Sequence, residues 1–398
     1  MPWGDPPAAV ARRFIQQGLI PEGTAARAQN FERFRELLEG FPEDRLLARC
    51  DVTREELDAV AESYAPGPPT ATIIGAGLQR YARGGENVRF INAVALLSGN
   101  MGRSGGGSYF HLHSLGYFNL DWTRDPDGKR RRAFPMPAVG REILAADPPV
   151  RMLWVNGVNI VNQGPDCHET IRAFASVPFK VVVDAFMNDT ADRADLILPS
   201  TLMLEQEDVI GSFLHDHVQH VRAALDPPGE ARSDHWIISE LGKRLSPPIH
   251  LPSPEACFAQ ALDSPFIEGG WETLRARGSL RTQKPDIAYA GMVFDHADGK
   301  ARLPAALHDE PDPPPEFPLR FLTLVRREAI HSQILPEDQE MPPKIWISPD
   351  CPALSSIDPA RPVDVVSPLG RLRVSLRLMP GLHPGALIYR RGDWMKCG

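Results

Sequence analysis

The period of the apolar positions changes along the chain, and each change marks a boundary. Residues 1–69 read as a helical segment, the remnant of a preceding domain. Thr53-Arg-Glu-Glu56 there is a capping box, with a hydroxyl at N-cap and a carboxylate at N3. Leu57, Val60, Ala61 and Tyr64 follow at helical spacing on one face. Pro66-Gly-Pro-Pro69 ends that helix. Between 70 and 245, short apolar runs at 71–74, 152–155, 180–183 and 196–198 alternate with amphipathic stretches at 87–97, 168–176 and 234–245. The runs are continuous and rich in Val, Ile and Leu, as expected of strands buried on both faces. This alternation predicts an α/β domain with a doubly wound parallel sheet. Residues 246–318 are rich in Pro, Asp and Gly and read as a connecting segment with some helix. From 319 to 398 the runs at 319–325, 344–347, 363–367, 372–378 and 386–389 are strand-like with turn residues between them, which predicts a small β-barrel domain.

Composition narrows the function classes. The chain has 398 residues, enough for two or three domains that need no staples. Net charge is −8, whereas a nucleic-acid binder is more often basic, so no nucleic-acid partner is expected. Five cysteines are scattered, and no pair has C-x-x-C spacing. That pattern argues against a disulfide framework, a structural zinc or an iron–sulfur cluster in this chain. It also points to a reducing compartment, so a cytoplasmic location is expected. No run of about 18 apolar residues exists, and the amino-terminal segment has no apolar leader core, so no membrane insertion is expected.

Several segments carry candidate chemistry. Ile73 to Gly85 runs from a strand through a glycine-rich turn towards a helix, the arrangement in which backbone N–H groups meet a phosphate; a plain structural turn explains it equally well. A second glycine-rich turn, Ser98 to Gly107, suggests close approach of a bulky ligand or of another backbone. His111 and His113 follow it, and ordinary surface or core roles account for them better than a metal site. Leu153 to Asp166 opens from a strand end into Asn, Gly and Gln, where ligands of open α/β sheets bind. Asp184 closes an apolar strand; it suits a ribose hydroxyl or base N–H, or equally the cap of a following helix. Glu205-Gln-Glu-Asp208 is either a solvated acidic loop or the rim of a base site. Ser233 is read as a helix cap. No compact G-x-G-x-x-G unit with an acid about 20 residues on is present, which disfavours a nicotinamide-dependent dehydrogenase.

Taken in order, GAGLQRYARGGENVRFINAVALLSGNMGRSGGG, LWVNGVNIVNQGPD, VVVDAFMNDTADRADLILPSTLMLEQEDVIGS, PPGEARSDHWIISELGKRL, FLTLVRREAIHSQ and PVDVVSPLGRLRVSLRLMPGLHPGALI resemble the molybdopterin oxidoreductase family of formate dehydrogenases, nitrate reductases and dimethyl sulfoxide reductases. The resemblance covers nearly the whole chain and is weakest at 246–318. It implies a C-terminal portion of a molybdopterin-dependent oxidoreductase, with 70–245 a dinucleotide-binding domain and 319–398 a truncated double-psi barrel. The implied cofactor is molybdenum or tungsten bis(molybdopterin guanine dinucleotide). The iron–sulfur cluster and the residue that ligates the metal are expected only in an amino-terminal region absent here, so this chain alone is expected to be inactive. The implied activity is two-electron redox or oxygen-atom transfer on a small-molecule substrate, with an iron–sulfur electron-transfer subunit as partner. The alternative is a non-catalytic structural subunit that keeps the fold without metal. Carried over residue by residue, Gly75, Gly77 and Arg80 line a pterin or phosphate. Asn159 meets the guanosine end, and Asp184 holds guanine or ribose. Gln206 and Asp234 contact the nucleotide. Thr323, Arg326, His331, Ser332 and Gln333 belong to the barrel loop around the other guanine dinucleotide. The catalytic residues are not identified; His111, His113 and His331 are the proton-transfer candidates. Ser355 to Arg361 departs from the Gly-Asp-Gly turn usual in that barrel.

Overall fold

The structure, a computed structural model, describes residues 5–111, 113–124, 131–309 and 311–397. Residues 1–4, the start of the segment expected to carry no leader, lie outside the described residues, as does Gly398. The helices are α1 (Asp5–Gln16), α2 (Phe31–Glu39), α3 (Glu43–Cys50), α4 (Arg54–Tyr64), α5 (Gly84–Leu97), α6 (Val139–Leu144), α7 (Ile160–Gln163), α8 (Cys167–Ser176), α9 (Asp234–Lys243), α10 (Pro254–Leu262) and α11 (Gly270–Arg277). The strands are β1 (Ala71–Ile73), β2 (Gly107–Tyr109), β3 (Met152–Asn156), β4 (Phe179–Asp184), β5 (Leu196–Pro199), β6 (Asp208–Ile210), β7 (His217–Val221), β8 (Ser279–Arg281), β9 (Arg320–Leu324), β10 (Lys344–Ile347), β11 (Val363–Ser367), β12 (Gly370–Leu378) and β13 (Ala386–Arg390). The chain divides into two compact units: Met1–Asn119 with Ile210–Gln219 and Ala259–Asp312, and Leu120–Val209 with His220–Phe258 and Pro313–Gly398.

The first unit is built on α1. Ala8, Ala9 and Ala11 leave room for neighbouring helices to come close, while Val10 and Phe14 fill the space between them. Phe34 and Leu38 of α2, Leu46 and Leu47 of α3, Leu57 and Ala61 of α4, and Phe90 and Leu97 of α5 complete this core. The Phe34 and Phe90 rings lie 6.0 Å apart. Arg13, only 8% exposed, directs its charge to Glu43 at 2.8 Å and to Asp58. The capping box forms as its sequence implies: Glu56 N donates to Thr53 Oγ1 (3.2 Å) and Thr53 N to Glu56 Oε2 (2.8 Å). Part of the stretch read as a connection belongs to this core as well. Ala301, Leu303 and Leu307 are buried in it, and Asn30 brackets Leu303 through both its N–H and its C=O, each at 3.0 Å.

In one respect the strand alternation misleads. It put the run at 71–74 into one sheet with the three runs that follow, but β1 pairs in parallel with β2, in register from Ala71↔Gly107 to Ile73↔Tyr109. The cause is the second glycine-rich turn, which folds the chain back beside β1. Buried Asn100 pins it there by accepting from Thr70 N at 2.8 Å. The glycines of this turn serve another backbone. A Cβ on Gly102 would lie 2.5 Å from Tyr289 O, and one on Gly106 would lie 2.4 Å from Asn100 O.

In the second unit β3, β4 and β5 form a parallel sheet in that order. Val181 and Val183 pack with Trp154, Leu198 and Ile237 of α9 on one face. On the other face Leu153 and Val155 meet Ile143 of α6 and Ala173 and Phe174 of α8. Cover on both faces is why these strands carry no polar alternation. The later strands form a curled mixed sheet in the order β11-β12-β10-β13-β9, in which β10 runs parallel to β12 and antiparallel to β13. Its core is Ile345, Ile347, Val374, Leu376 and Leu387. The whole is a mixed α/β fold with parallel sheets. No helix among the described residues is long and apolar enough to cross a membrane. Phe34→Ala is expected to lower the stability of the first unit by about 3–5 kcal/mol through the cavity it leaves. Urea denaturation followed by circular dichroism measures this, and an unchanged midpoint would contradict the packing described.

Candidate functional site

The carboxyl ends of β3, β4 and β5 gather amides and carboxylates. Asn156 ends β3 and donates Nδ2–H to Asp234 Oδ2 at 3.0 Å, at the first turn of α9, which Ser233 caps through Trp236 N. Gly157 follows at φ +61° with open space where a Cβ would point. Asn159 then takes the N-cap position of α7 without a side-chain cap bond, and is only 3% exposed. Its Oδ1 accepts from Thr190 N (3.2 Å) and Thr190 Oγ1 (2.8 Å), while its buried Nδ2 has no hydrogen-bond partner. Asp184 ends β4. Its Oδ1 accepts from Phe186 N at 3.0 Å and its Oδ2 from Asn188 Nδ2 at 2.8 Å. Asp184 therefore organises its own loop and caps no helix: the next element is a 3-10 turn, Ala191–Arg193, that starts from Thr190. Gln206 is half-buried beyond β5 and accepts from Thr201 Oγ1 at 2.7 Å.

The second group follows β9. Thr323 lies in that strand, opposite Tyr389 of β13. Arg326 donates to Asp393 Oδ1 at 2.6 Å and, through Nε, to Arg391 O at 3.2 Å. Tyr389 donates to Asp393 Oδ2 at 2.5 Å, and burial together with that carboxylate pushes the phenol's pKa far up, so it stays a donor. His331 is exposed at φ +50°, and Gln333 is exposed. Ser332 is buried and accepts from Gln163 Nε2 at 2.7 Å, joining this loop to α7. Asn159, Asp184, Gln206 and Asp234 on one side, and Thr323 to Gln333 on the other, thus all fall within the second unit, in two sets linked through α7.

Gly77 and Arg80 lie in the first unit on the exposed 3-10 turn Ala76–Arg80 that follows β1, and Gly75 is its N-cap residue. A Cβ on either glycine would meet nothing within 4 Å, unlike the glycines of the second turn. His111 is exposed and packs against Phe110 and Phe213, with ring centroids at 4.3 and 5.0 Å. His113 lies under Gly116, whose added Cβ would sit 3.2 Å from its ring. Among the described residues no group of three or more His, Cys, Asp or Glu is placed to hold a metal ion. A 520 Å³ surface cavity lined by Arg27, Asp298 and Lys300 contains none of the predicted residues.

Sequence reasoning marked Gln163 as part of a ligand-binding strand end, and missed the other residues that connect the sets: Asn188, Asp189, Thr190, Asp393 and Trp394. The dense Asn-Asp-Thr run straight after an apolar strand was the available signal for three of them, since such side chains bond nearby backbone.

The chain matches the family model described as molybdopterin oxidoreductase over residues 8–244, which spans most of the first unit's helices and the parallel sheet. It is 28% identical over 418 residues to the probable oxidoreductase YyaE of Bacillus subtilis, covering 98% of this chain and 62% of the relative. It is 27% identical over 267 residues to formate dehydrogenase H of Escherichia coli, covering 61% of this chain and 37% of that protein. Its fold is similar to that of acetylene hydratase from Pelobacter acetylenicus, with a TM-score of 0.77 at 16% identity, over 98% of this chain and 63% of that one. The chain belongs to the molybdopterin oxidoreductase family. Membership implies a molybdenum or tungsten pterin cofactor. The chain spans about 62% of the length of its relative YyaE and less of formate dehydrogenase H.

Thr190 is fully buried and bonds to both Asn159 and Val161 N (3.1 Å). Thr190→Val is therefore expected to cost about 1–3 kcal/mol, because it strands a buried donor. A thermal melt matching wild type would show that this network carries no stability.

Proposed function

We propose that this chain is the part of a molybdopterin-dependent oxidoreductase that grips the cofactor as bis(molybdopterin guanine dinucleotide), with 319–398 forming a double-psi barrel. The observation that carries the reading is the unpartnered Asn159 Nδ2. A buried amide donor left open costs stability, and a ligand acceptor at the strand ends would satisfy it. Within the second unit the open space over Gly157 supports it further, since a bulky ligand can approach the backbone there; Gly75 and Gly77, in the first unit, are open in the same way. When bound, the cofactor supplies two-electron redox or oxygen-atom transfer on a small substrate, and an iron–sulfur subunit is the proposed electron partner.

The chain's own residues bind and orient. Asn159 donates from Nδ2 to the guanosine end. Asp184, already fixed by its loop, offers its remaining lone pairs to ribose hydroxyls or base N–H groups. Gln206 and Asp234 complete that rim. Thr323, Arg326, His331, Ser332 and Gln333 form the contact surface for the second dinucleotide. Arg80 and the two open glycines face a pterin or phosphate.

The test is metal and pterin content of the chain purified from a cofactor-competent host. Near-stoichiometric molybdenum or tungsten with guanine nucleotide is expected. A folded chain with neither would favour the non-catalytic structural subunit. Asn159→Asp, which keeps the acceptor for Thr190 but removes the donor, is expected to lower pterin content by about fivefold or more, from the loss of one neutral hydrogen bond of about 1 kcal/mol. Gly75 has φ −80°, ψ 148° and open surroundings, so Gly75→Val should change stability by no more than about 0.5 kcal/mol while lowering cofactor content. A Gly75→Val chain that binds as much cofactor as wild type would remove Gly75 from the site.

A further inference from the structure

We propose that Asp189 is a positioning residue that couples the strand-end set, Asn159 and Asp184, to the loop 326–333 through the segment 391–397. This rests on the reading that both sets hold one cofactor. The coupling itself lies within the second unit and stands on hydrogen bonds.

Asp189 is a carboxylate only 3% exposed. Burying it costs several kcal/mol unless strong donors meet it. Its donors come from the far end of the chain: Met395 N to Oδ2 at 3.0 Å and Lys396 N to Oδ1 at 2.9 Å. The same loop holds Lys396 twice more, through Met187 O and through Asp192 Oδ2 at 2.9 Å. Met395 also packs on the cluster of Ile160, Val161 and Phe174. On its other side the segment 391–397 fastens the barrel loop. Asp393 takes Arg326, Trp394 Nε1 donates to Ser332 O at 2.8 Å, and Trp394 N donates to Gln339 Oε1 at 2.7 Å. Asn162 Nδ2 closes the ring on Asp393 O at 2.6 Å.

One short loop therefore faces both sets. Thr190 and Asn188 tie it to Asn159 and Asp184, and their neighbour Asp189 ties it to the segment that clasps Arg326 and Ser332. Asp189 needs no contact with a ligand to fix the spacing between the sets. An apolar side chain could fill its space, but a carboxylate offers a separate charged oxygen to each of the two adjacent N–H groups.

The experiment is hydrogen–deuterium exchange of the full-length chain, free of cofactor, as wild type, Asp189→Asn and Trp394→Phe. Asp189→Asn keeps the shape but turns one acceptor into a donor. Amides of 326–333 and 393–397 are expected to exchange at least about tenfold faster, while β3, β4, β10 and β12 keep their protection. Trp394→Phe keeps an aromatic ring but removes the bond to Ser332 O, and is expected to free the barrel loop while the Met395 and Lys396 amides stay protected. The proposal is overturned if Asp189→Asn frees Met395 and Lys396 alone, which would make Asp189 a local turn-former. Should Asp189→Asn not fold, a Trp394→Phe loop as protected as wild type overturns it equally. Pterin content separates the two ideas. If wild type binds pterin and Asp189→Asn retains at least about tenfold less, the positioning role extends to the cofactor. If wild type takes up none, the cofactor reading fails, while exchange still decides the coupling.

Discussion

Asp184 and Asp189 hold one loop from opposite sides, and much of the second unit is arranged around that fact. Asp184 turns the chain as it leaves β4, taking one backbone N–H and one side-chain amide of the loop itself. Asp189 reaches the other way and seizes the backbone of Met395 and Lys396. Buried carboxylates are tolerated only where donors are supplied at fixed positions. The loop is thereby bonded to the strand ends and α7 through Asn159 and Val161 N, and to the segment that follows β13 through Met395 N and Lys396 N. The apolar cores of the two sheets stabilise each layer. The polar ring between them decides how the layers meet.

Buried polar groups also separate the sites from the scaffold. Most of the ring is paired: Asn188, Thr190, Ser332 and Asp393 all have partners. Asn159 Nδ2 is a buried donor left open at the strand ends, as Gln339 Nε2 is beside Trp394, and natural cores leave few such donors open. The two glycine-rich turns divide in the same way. The dense run ending at Gly107 is consumed by contacts with Tyr289 and Asn100, whereas Gly75 and Gly77 face open space. Glycine density alone could not tell a backbone crossing from a ligand cradle, since both need the missing Cβ. The surroundings of each Cα make the distinction.

Strand and helix positions were legible to within a residue or two wherever burial was two-sided or a cap was present. The runs at 344–347 and 363–367 became β10 and β11 without change, and Thr53 and Ser233 cap the helices that their spacing implied. The strands of three to five residues β2, β6, β7 and β8 gave no such signal, being too short to show a period. The Pro-rich stretch at 246–318 was expected to hold some helix, but its composition neither bounded α10 and α11 nor showed that Ala301, Leu303 and Leu307 join the helical core, because local composition reports chain stiffness and not distant contact. The candidate site divided similarly. Asn159, Asp184 and Asp234 sit at strand ends or a helix start, which a sequence can mark. Asp189 and Trp394 act only through partners far along the chain.

The sequence by itself determined the alternation of parallel strands and helices, the later run of strands, and the polar residues at the strand ends that resemble the molybdopterin oxidoreductases. These are local properties, set by period, capping and strand termination. Only the tertiary structure decided that β1 joins β2, that Ala301, Leu303 and Leu307 complete the helical core, and that Asp189 joins the last turn of the chain to the loop after β4. Each of these is a pairing between segments remote in sequence. Such pairings follow from which buried donor meets which buried acceptor once the layers have packed, and no local pattern encodes that choice.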